Sequence, residues 1–229
     1  MTDRNPIEPT PLILLGGGGH AAVVADSLPL ARWRALGYLA DEPGEHAPGV
    51  ASPDGPAALP WLGSPHDLET VLERHGHGLA MVHAAVGDAT LRKEWLDRVE
   101  VSRWATIVAP SAVISPAARL GAGVFVGPQA VINARAVIGD GVIVNSGAIV
   151  EHDCRIGAFA HLAPGSALGG AVEIGARVLV GLNAVAVPGV RVGRDAVLGA
   201  GAVAVQDVPE RRTAAGVPAR ILGETATRF

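Results

Sequence analysis

The sequence has little cysteine and little charge of either sign. Its 229 residues include one cysteine, Cys154, so no disulfide can form within the chain and we expect a reducing compartment. Charged residues make up 17%, and the formal net charge of -4 does not provide the basic surface that nucleic acid or an anionic membrane requires. The apolar run at residues 12–15 is too short for a signal peptide or a membrane span. We therefore expect a cytoplasmic protein with no nucleic-acid partner and no membrane insertion.

Bulky aromatic side chains are also scarce. The chain has four tryptophans, three phenylalanines and one tyrosine, whereas glycine occurs 30 times. Because 49% of the residues are hydrophobic, the chain still has the material for a core and is not disordered. That core must consist of small aliphatic side chains at places where backbones approach closely. This composition favours a repeat architecture over a sandwich or a helix bundle.

A six-residue repeat runs through the second half of the chain. Every sixth position holds a branched aliphatic residue or an alanine, and the next residue is often glycine or asparagine. One inward aliphatic side chain per short strand, with small residues at the corners, is typical of a parallel β-helix. Neither a helix nor a simple alternating strand has this period. The repeated positions are Val108, Ile114, Leu120, Val126, Ile132, Ile138, Val144, Val150, Ile156, Leu162, Leu168, Ile174, Val180, Ala186, Val192, Leu198 and Ala204.

The first hundred residues have a different pattern, in which apolar strands alternate with helical segments. Such alternation predicts a small parallel sheet covered by helices, that is, an α/β Rossmann-like domain. We predict strands at 11–15, 35–40 and 79–86, helices at 21–28, 65–75 and 88–99, and a loop at 43–60. The predicted domains are residues 1–104, the β-helix at 105–207, and a tail at 208–229 that packs near the site of the β-helix.

A glycine-rich turn follows the first predicted strand. It fits the pattern G-x-G-x-x-A at residues 16–21, includes Gly18, Gly19 and His20, and is followed by Asp41 after the second strand. Glycines let the backbone approach a phosphate, the helix amino end attracts it, and an acid at that place accepts hydrogen bonds from a ribose or a base. Gly87, after the third predicted strand, could complete this crevice. A plain tight turn in an α/β unit is the alternative.

Polar residues are sparse in the repeat, so a run of them at 151–153 is informative. It consists of Glu151, His152 and Asp153, and His161 follows nine residues after His152. A carboxylate that accepts a hydrogen bond from one ring nitrogen of a histidine fixes the tautomer and raises the basicity of the other nitrogen. Such a histidine can act as a general base. The alternative is a surface histidine at a corner of the β-helix, and the role of Glu151 stays open.

These segments resemble a family. The residues at 14–20, at 86–88 and at 150–157 through His161 are similar to bacterial sugar acetyltransferases of the sialic acid O-acetyltransferase and nucleotide-4-amino-sugar N-acetyltransferase type. The resemblance implies that the amino-terminal domain holds a nucleotide sugar. It also implies that a left-handed β-helix, assembled as a homotrimer, binds acetyl-CoA between subunits. His152 matches the general base, Asp153 the acid that raises its basicity, and His161 a residue that contacts acetyl-CoA.

The resemblance extends to further contacts. Gly170 would offer its N–H to the thioester carbonyl, where negative charge develops, and Leu182 and Ala200 would line the pantetheine groove. Relatives often carry glutamate where Asp153 stands, and they have a second acid where Ala40 stands. In the nucleotide-sugar pocket, the matches are Gly18, Gly19, His20, Asp41 and Gly87. Arg211, Arg212 or Arg220 could contact the CoA phosphates, and the alternative is that they are solvated surface arginines.

Chain geometry provides a separate argument for a closed ring. If three hexads make one coil, residues nine apart lie on opposite sides of the prism, so His152 and His161 of one chain cannot meet. Under cyclic symmetry, His152 of one subunit can face His161 of the next.

We therefore expect acetyl transfer from acetyl-CoA to the amine of a nucleotide-linked amino sugar of the 4-amino-4,6-dideoxy type, with no metal. O-acetylation of sialic acid or a related sugar is the alternative. A metal hydratase of the β-helix carbonic anhydrase kind needs three histidine ligands, and the repeat has two. A dinucleotide-dependent oxidoreductase would leave the β-helix unexplained. A non-catalytic nucleotide-sugar-binding protein stays open.

Overall fold

The computed structural model describes residues 8–44, 48–50, 57–76 and 79–225. The first domain has a four-stranded parallel sheet made of β1 (Thr10–Leu15), β2 (Trp33–Leu39), β5 (Trp61–Gly63) and β6 (Met81–Ala84), in the order β5-β2-β1-β6. Strand β1 is central because its Leu and Ile side chains are buried on both faces of the sheet. The elements are β1 Thr10–Leu15, α1 Gly19–Asp26, β2 Trp33–Leu39, β3 Gly49–Val50, β4 Ala57–Ala58, β5 Trp61–Gly63, α2 Leu68–Gly76, β6 Met81–Ala84 and α3 Ala89–Leu96.

The predicted helices and strands of this domain are present, with boundaries shifted by a few residues. Helix α1 begins at Gly19, before the predicted start. Helix α3 begins after Asp88, whose side chain accepts a hydrogen bond from the Leu91 N–H at 2.7 Å and so caps the helix. The predicted loop at 43–60 contains the two short antiparallel strands β3 and β4. Its residues 45–47 and 51–56 lie outside the described residues.

The second domain is a left-handed parallel β-helix: the hexad predicts the parallel β-helix, and the family resemblance implies its left-handed turn. Strands of two residues pair with the strand 18 positions later, so three strands complete one coil. In each strand the second residue is the predicted aliphatic position and points inward, and the first points outward. The strands are β7 Ile107–Val108, β8 Val113–Ile114, β9 Arg119–Leu120, β10 Phe125–Val126, β11 Val131–Ile132, β12 Val137–Ile138, β13 Ile143–Val144, β14 Ile149–Val150, β15 Arg155–Ile156, β16 His161–Leu162, β17 Ala167–Leu168, β18 Glu173–Ile174, β19 Leu179–Val180, β20 Val185–Ala186, β21 Arg191–Val192, β22 Val197–Leu198 and β23 Val203–Ala204.

At Gly157, the absence of a side chain lets consecutive coils stack closely at a corner. A Cβ on Gly157 would lie 2.5 Å from the backbone nitrogen of Ala176, a contact that no side chain tolerates. This close approach explains why small residues follow the aliphatic position so often.

The three sheets of the β-helix present different outer surfaces. The first sheet (β7, β10, β13, β16, β19, β22) packs Ile107, Phe125 and Ile143 against the first domain. The third sheet (β9, β12, β15, β18, β21) carries mainly charged outward residues. The second sheet (β8, β11, β14, β17, β20, β23) presents only aliphatic side chains: Val113, Val131, Ile149, Ala167, Val185 and Val203.

The chain after residue 207 adds strands to the first sheet. Strand β24 Arg212–Ala215 pairs in parallel with β22, and β25 Arg220–Glu224 pairs antiparallel with β24. Through these strands the tail lies on the same side of the β-helix as the first domain. In the described part of the chain, no helix has the length and apolar character to cross a membrane.

Candidate active site

His152 and Asp153 form a hydrogen-bonded pair at the corner between the second and third sheets. The Nδ1 atom of His152 lies 2.8 Å from Oδ2 of Asp153. Arg135, one coil earlier, donates from Nε and Nη2 to the two Asp153 oxygens at 2.7 and 2.8 Å. These Arg135 bonds, followed by the His152 bond, hold the pKa of Asp153 far below its usual range. The ionised carboxylate only accepts, so Nδ1 of the neutral ring carries the proton and Nε2 has a free lone pair.

Gly170 lies against the ring of His152, one coil later at the same corner. A Cβ at this position would be 2.6 Å from Cε1 and 2.8 Å from Nε2 of His152, so any side chain would displace the ring. Its N–H has no protein acceptor among the described residues. The fold does not need this N–H, because the equivalent position of other hexads holds proline, as at Pro128 and Pro164. The Gly170 N–H is thus unpaired within the described part of the single chain.

His161 extends outward from β16 to the boundary between the two domains. Asn145 donates from Nδ2 to Nε2 of His161 at 3.2 Å, and its amide is oriented by the Ser146 N–H, which donates to Oδ1 at 2.8 Å. An amide nitrogen only donates, so Nε2 accepts and the ring is neutral. Burial, and then the charge of Arg92, lower the pKa of His161 to about 4, although a backbone hydrogen bond to Gly87 opposes the shift.

His20 also faces this boundary rather than the outer edge of the glycine turn. Its ring centroid lies 6.3 Å from that of His161, and it packs edge-on against the Phe125 ring at 5.3 Å. Burial, with smaller contributions from His161, His83 and Arg92, lowers its pKa to about 3. Its Nε2 is buried and has no partner among the described residues.

Gly18, Gly19 and Asp41 follow the strands β1 and β2 of the first domain. The two glycines begin α1 with open space beside them, and Asp41 is exposed just after β2. All three are therefore at the carboxyl ends of parallel strands, where α/β sheets bind ligands.

An open groove of about 1370 Å³ runs between the two domains. Residues 87–91 form one wall, and His161 and the outward side chains of β19 and β22 form the other. Leu182, which is 55% exposed, lies at one edge. Ala200, one coil beyond it, is exposed and does not line the groove. One chain therefore brings together Gly87, His161 and Leu182, whereas His152 and Gly170 lie at a different corner.

The candidate arginines differ in their surroundings. Arg211 lines the groove, and the Glu224 and Thr225 residues of the tail lie there too. Arg212 is 3.9 Å from a Glu224 carboxylate oxygen, and Arg220 is exposed and donates to the neighbouring Ala219 carbonyl.

Two further arginines are functional candidates that the sequence did not indicate. Arg177 lines the groove and makes a bidentate bond to Asp195, with both distances 2.7 Å. Arg92, on α3, is 1% exposed and donates to four backbone carbonyls. No sequence signal marks either residue, because their partners lie 18 or more positions away or are main-chain atoms.

The carbonyls bound by Arg92 belong to both domains. Nη1 donates to Val86 and Gly87 at 2.9 and 2.8 Å, in the first domain. Nε and Nη2 donate to Gly141 and Phe159 at 2.8 and 2.6 Å, in the β-helix. Burial lowers the pKa of Arg92 to about 10, which leaves it charged at neutral pH. The guanidinium thus joins the two domains beside the groove.

Within the described residues, no three His, Cys, Asp or Glu side chains are grouped so that they could hold a metal ion.

Family models match both domains. Residues 11–99 match the PglD N-terminal domain, residues 135–170 the bacterial transferase hexapeptide (six repeats), and residues 171–204 the hexapeptide repeat of succinyl-transferase. A comparison with curated protein sequences gives no match.

Solved structures resemble the whole chain. Perosamine N-acetyltransferase from Caulobacter crescentus, solved with CoA and GDP-perosamine, is 39% identical over 93% of this chain and 97% of its own, with a TM-score of 0.83. The acetyltransferase domain of PglB from Neisseria gonorrhoeae, solved with acetyl coenzyme A, is 32% identical over 93% and 100%, with a TM-score of 0.81. The predicted relationship is confirmed, and the chain belongs to the PglD-like family of hexapeptide-repeat sugar N-acetyltransferases.

Proposed function

We propose that the protein transfers the acetyl group of acetyl-CoA to the amine of a nucleotide-linked 4-amino-4,6-dideoxy sugar. The observation that carries this proposal is the His152–Asp153 pair with Gly170 against its ring, on a hexapeptide β-helix. The 39%-identical relative, solved with CoA and GDP-perosamine, is itself named an N-acetyltransferase, which favours an amine over a hydroxyl acceptor.

In the proposed reaction, Nε2 of His152 accepts a proton from the sugar amine as the nitrogen attacks the acetyl carbonyl. The new N–C bond forms a tetrahedral intermediate, and the Gly170 N–H donates to its oxyanion. The C–S bond then breaks, and the proton on His152 passes to the departing CoA sulfur. Asp153 orients the ring and stabilises the imidazolium between these steps. No acyl-enzyme is formed.

We assign the two substrates to different regions. Gly18, Gly19 and Asp41 hold the nucleotide sugar, and their position at the carboxyl ends of β1 and β2 supports this. The groove with Gly87, His161 and Leu182 holds acetyl-CoA, with Arg177 and Arg211 near its phosphates. His20 and Gly87 lie where the two regions adjoin, as the 6.3 Å separation of the His20 and His161 rings indicates.

We further propose that the active unit is a homotrimer. The second sheet has an outward surface made only of aliphatic side chains, of which Val113 and Ile149 are 63% and 39% exposed in the single chain. A second copy of the chain is the occupant that fits, because His152 borders one edge of this sheet and Leu182 the other. A closed three-fold ring that buries these sheets would bring His152 of one subunit to the groove of the next. We assign the enzyme to the cytoplasm, where the buried free thiol of Cys154 stays reduced.

The experiment that tests the function is thiol release from acetyl-CoA. Purified protein is supplied with GDP-, UDP- and dTDP-linked 4-amino-4,6-dideoxy sugars, with sialic acid and its CMP form as hydroxyl acceptors. We expect release with at least one amino sugar and an amide product by mass spectrometry. Thiol release only with sialic acid or its CMP form would indicate O-acetylation in place of N-acetylation. If none of these acceptors causes thiol release, the proposal is contradicted.

A further inference from the structure

We propose that Arg135 is a positioning residue that controls the basicity of His152 through Asp153. The inference rests on the proposed function, in which His152 is the base. Arg135 and Asp153 occupy the same corner of consecutive coils, 18 positions apart, and both have left-handed backbone with φ of 60° and 63°. One side chain therefore lies directly above the other, and the coil spacing brings the guanidinium to the carboxylate.

Three N–H groups, two from Arg135 and one from His152, donate to the Asp153 carboxylate. Oδ1 of Asp153 accepts from Nε of Arg135 alone, whereas Oδ2 accepts from both Nη2 of Arg135 and Nδ1 of His152. A bidentate arginine fixes the plane of a carboxylate as well as its position. Asp153 is one methylene shorter than the glutamate that the family resemblance leads us to expect. The Arg135 fork provides the support that keeps this shorter side chain 2.8 Å from His152.

Arg135 also changes the balance of charge around the base. Glu151 lies beside His152, with Oε2 3.4 Å from its backbone nitrogen, and Asp153 contacts its ring. Both carboxylates favour the imidazolium, and Gly170 on the next coil adds no charge. Among the described residues at this corner, Arg135 supplies the positive charge that disfavours a second positive charge on the ring. The charge of Arg135 thus opposes the effect of the two carboxylates on the His152 ring.

The same ion pair occurs at another corner without a histidine. Arg177 and Asp195 are also 18 positions apart, with both contacts at 2.7 Å. Coil stacking therefore forms such an arginine–aspartate pair without a histidine, and at Asp153 the contact with His152 is made in addition to the pair.

The test compares Arg135→Gln, which removes the charge, with Arg135→Lys, which keeps the charge but loses the fork. The first readout is the pH profile of kcat/KM for the amino sugar at saturating acetyl-CoA. The second is the NMR titration of the His152 ring in the protein labelled at histidine Cε1, assigned with His152→Gln. Arg135→Gln should move the acidic limb of the kcat/KM profile and the titration of the His152 ring to higher pH, by about half a pH unit or more. Arg135→Lys should leave both near the wild-type position while lowering kcat several-fold.

Arg191→Gln is the matched control. It breaks another exposed arginine–carboxylate contact, with Glu173 at 3.3 Å on the third sheet, and should shift neither readout. Arg135→Gln also loses the fork and should lower kcat several-fold, and adding Asp153→Glu to it should restore part of that kcat, because the longer side chain needs less support.

Three results would overturn the role of Arg135. In the first, the acidic limb of the pH profile and the His152 titration do not move in Arg135→Gln. In the second, they move equally in Arg191→Gln, and in the third, Arg135→Gln loses the β-helix fold, which would make Arg135 a structural link only. The titration needs no substrate. A wild-type protein that transfers no acetyl group would therefore refute the proposed function, while the titration still decides the effect of Arg135 on His152.

Discussion

Arg92 of the first domain donates from Nη2 to the backbone carbonyl of Phe159 in the β-helix, 67 positions away, at 2.6 Å. Phe159 lies two residues before His161, and the same guanidinium binds the Gly87 carbonyl on the opposite wall of the groove. A single buried side chain therefore links the wall at Gly87 to the segment of the β-helix that leads into His161.

Replacing Arg92 should weaken acetyl-CoA binding more than nucleotide-sugar binding. Arg92→Lys keeps the charge, but one ammonium cannot reach carbonyls in both domains, so we expect the KM for acetyl-CoA to rise about ten-fold or more. Arg92→Met leaves four carbonyls unsatisfied and should destabilise the protein by about 3 kcal/mol or more. Arg74→Met is the control, because Arg74 is exposed on α2 of the same domain. Equal increases in both KM values would contradict this assignment.

Acid should destabilise the protein through its buried neutral histidines. Burial lowers the pKa of His83 and of His161 from 6.5 to about 4, and that of His20 to about 3. Between about pH 6.5 and 4 the unfolded chain binds more protons than the folded one. The free energy of unfolding therefore falls as pH decreases, by about 1.4 kcal/mol per unit of pKa shift.

Urea unfolding at about pH 7 and about pH 5 measures this effect. His83→Asn offers a donor to the Ala105 carbonyl, which His83 Nδ1 contacts at 2.8 Å, and does not titrate, so its stability should depend less on pH. His75→Gln, at an exposed position, should behave like the wild type. The same pH dependence in the wild type and His83→Asn would show that His83 does not contribute.

Removal of the proposed base should affect turnover and not folding. We expect His152→Ala to lower kcat by about 10²- to 10⁴-fold, the usual contribution of a general base, with little change in Tm or in affinity for acetyl-CoA. The ring is 57% exposed in the single chain, so the aliphatic core is untouched. Asp153→Asn should cost less, because the ring is still present. A His152→Ala protein with more than about a tenth of the wild-type kcat would exclude His152 as the base.

The division of substrates between domains predicts a selective effect at Asp41. Asp41→Ala should raise the KM for the nucleotide sugar and leave that for acetyl-CoA nearly unchanged, because Asp41 lies at the end of β2 and does not line the groove. Asp26→Ala, at the end of α1, is an exposed control in the same domain. Initial rates with each substrate varied separately provide both constants, and equal increases would contradict the division.

A trimer assembled from two different inactive variants should regain activity. If His152 of one subunit serves the groove of the next, then co-expressed His152→Ala and Leu182→Arg chains form some sites with neither change. We expect mixed trimers, isolated with two different affinity tags, to regain activity that neither variant has alone. Light scattering checks the assembly. Mixed trimers without activity would indicate that each chain contains a complete site.

Much of the fold follows from local sequence. The hexad places one aliphatic side chain inward per strand, so the β-helix is determined by a pattern that neighbouring residues carry. The apolar strand β1 with its glycine turn likewise predicts the first domain. Strand and helix ends do not follow from the local pattern, because they depend on caps such as Asp88 and on pairing, as in β3 and β4.

The sequence by itself determined the two architectures and the residue types available for chemistry, because both are local or repeat at a constant spacing. Tertiary structure alone decided which of these residues meet. The fork from Arg135 to Asp153 follows from the stacking of coils, and the groove at His161 from the packing of one domain on the other. Arg92 is the clearest case, since its partners are main-chain carbonyls that any residue possesses, and only the packed structure brings them to one guanidinium.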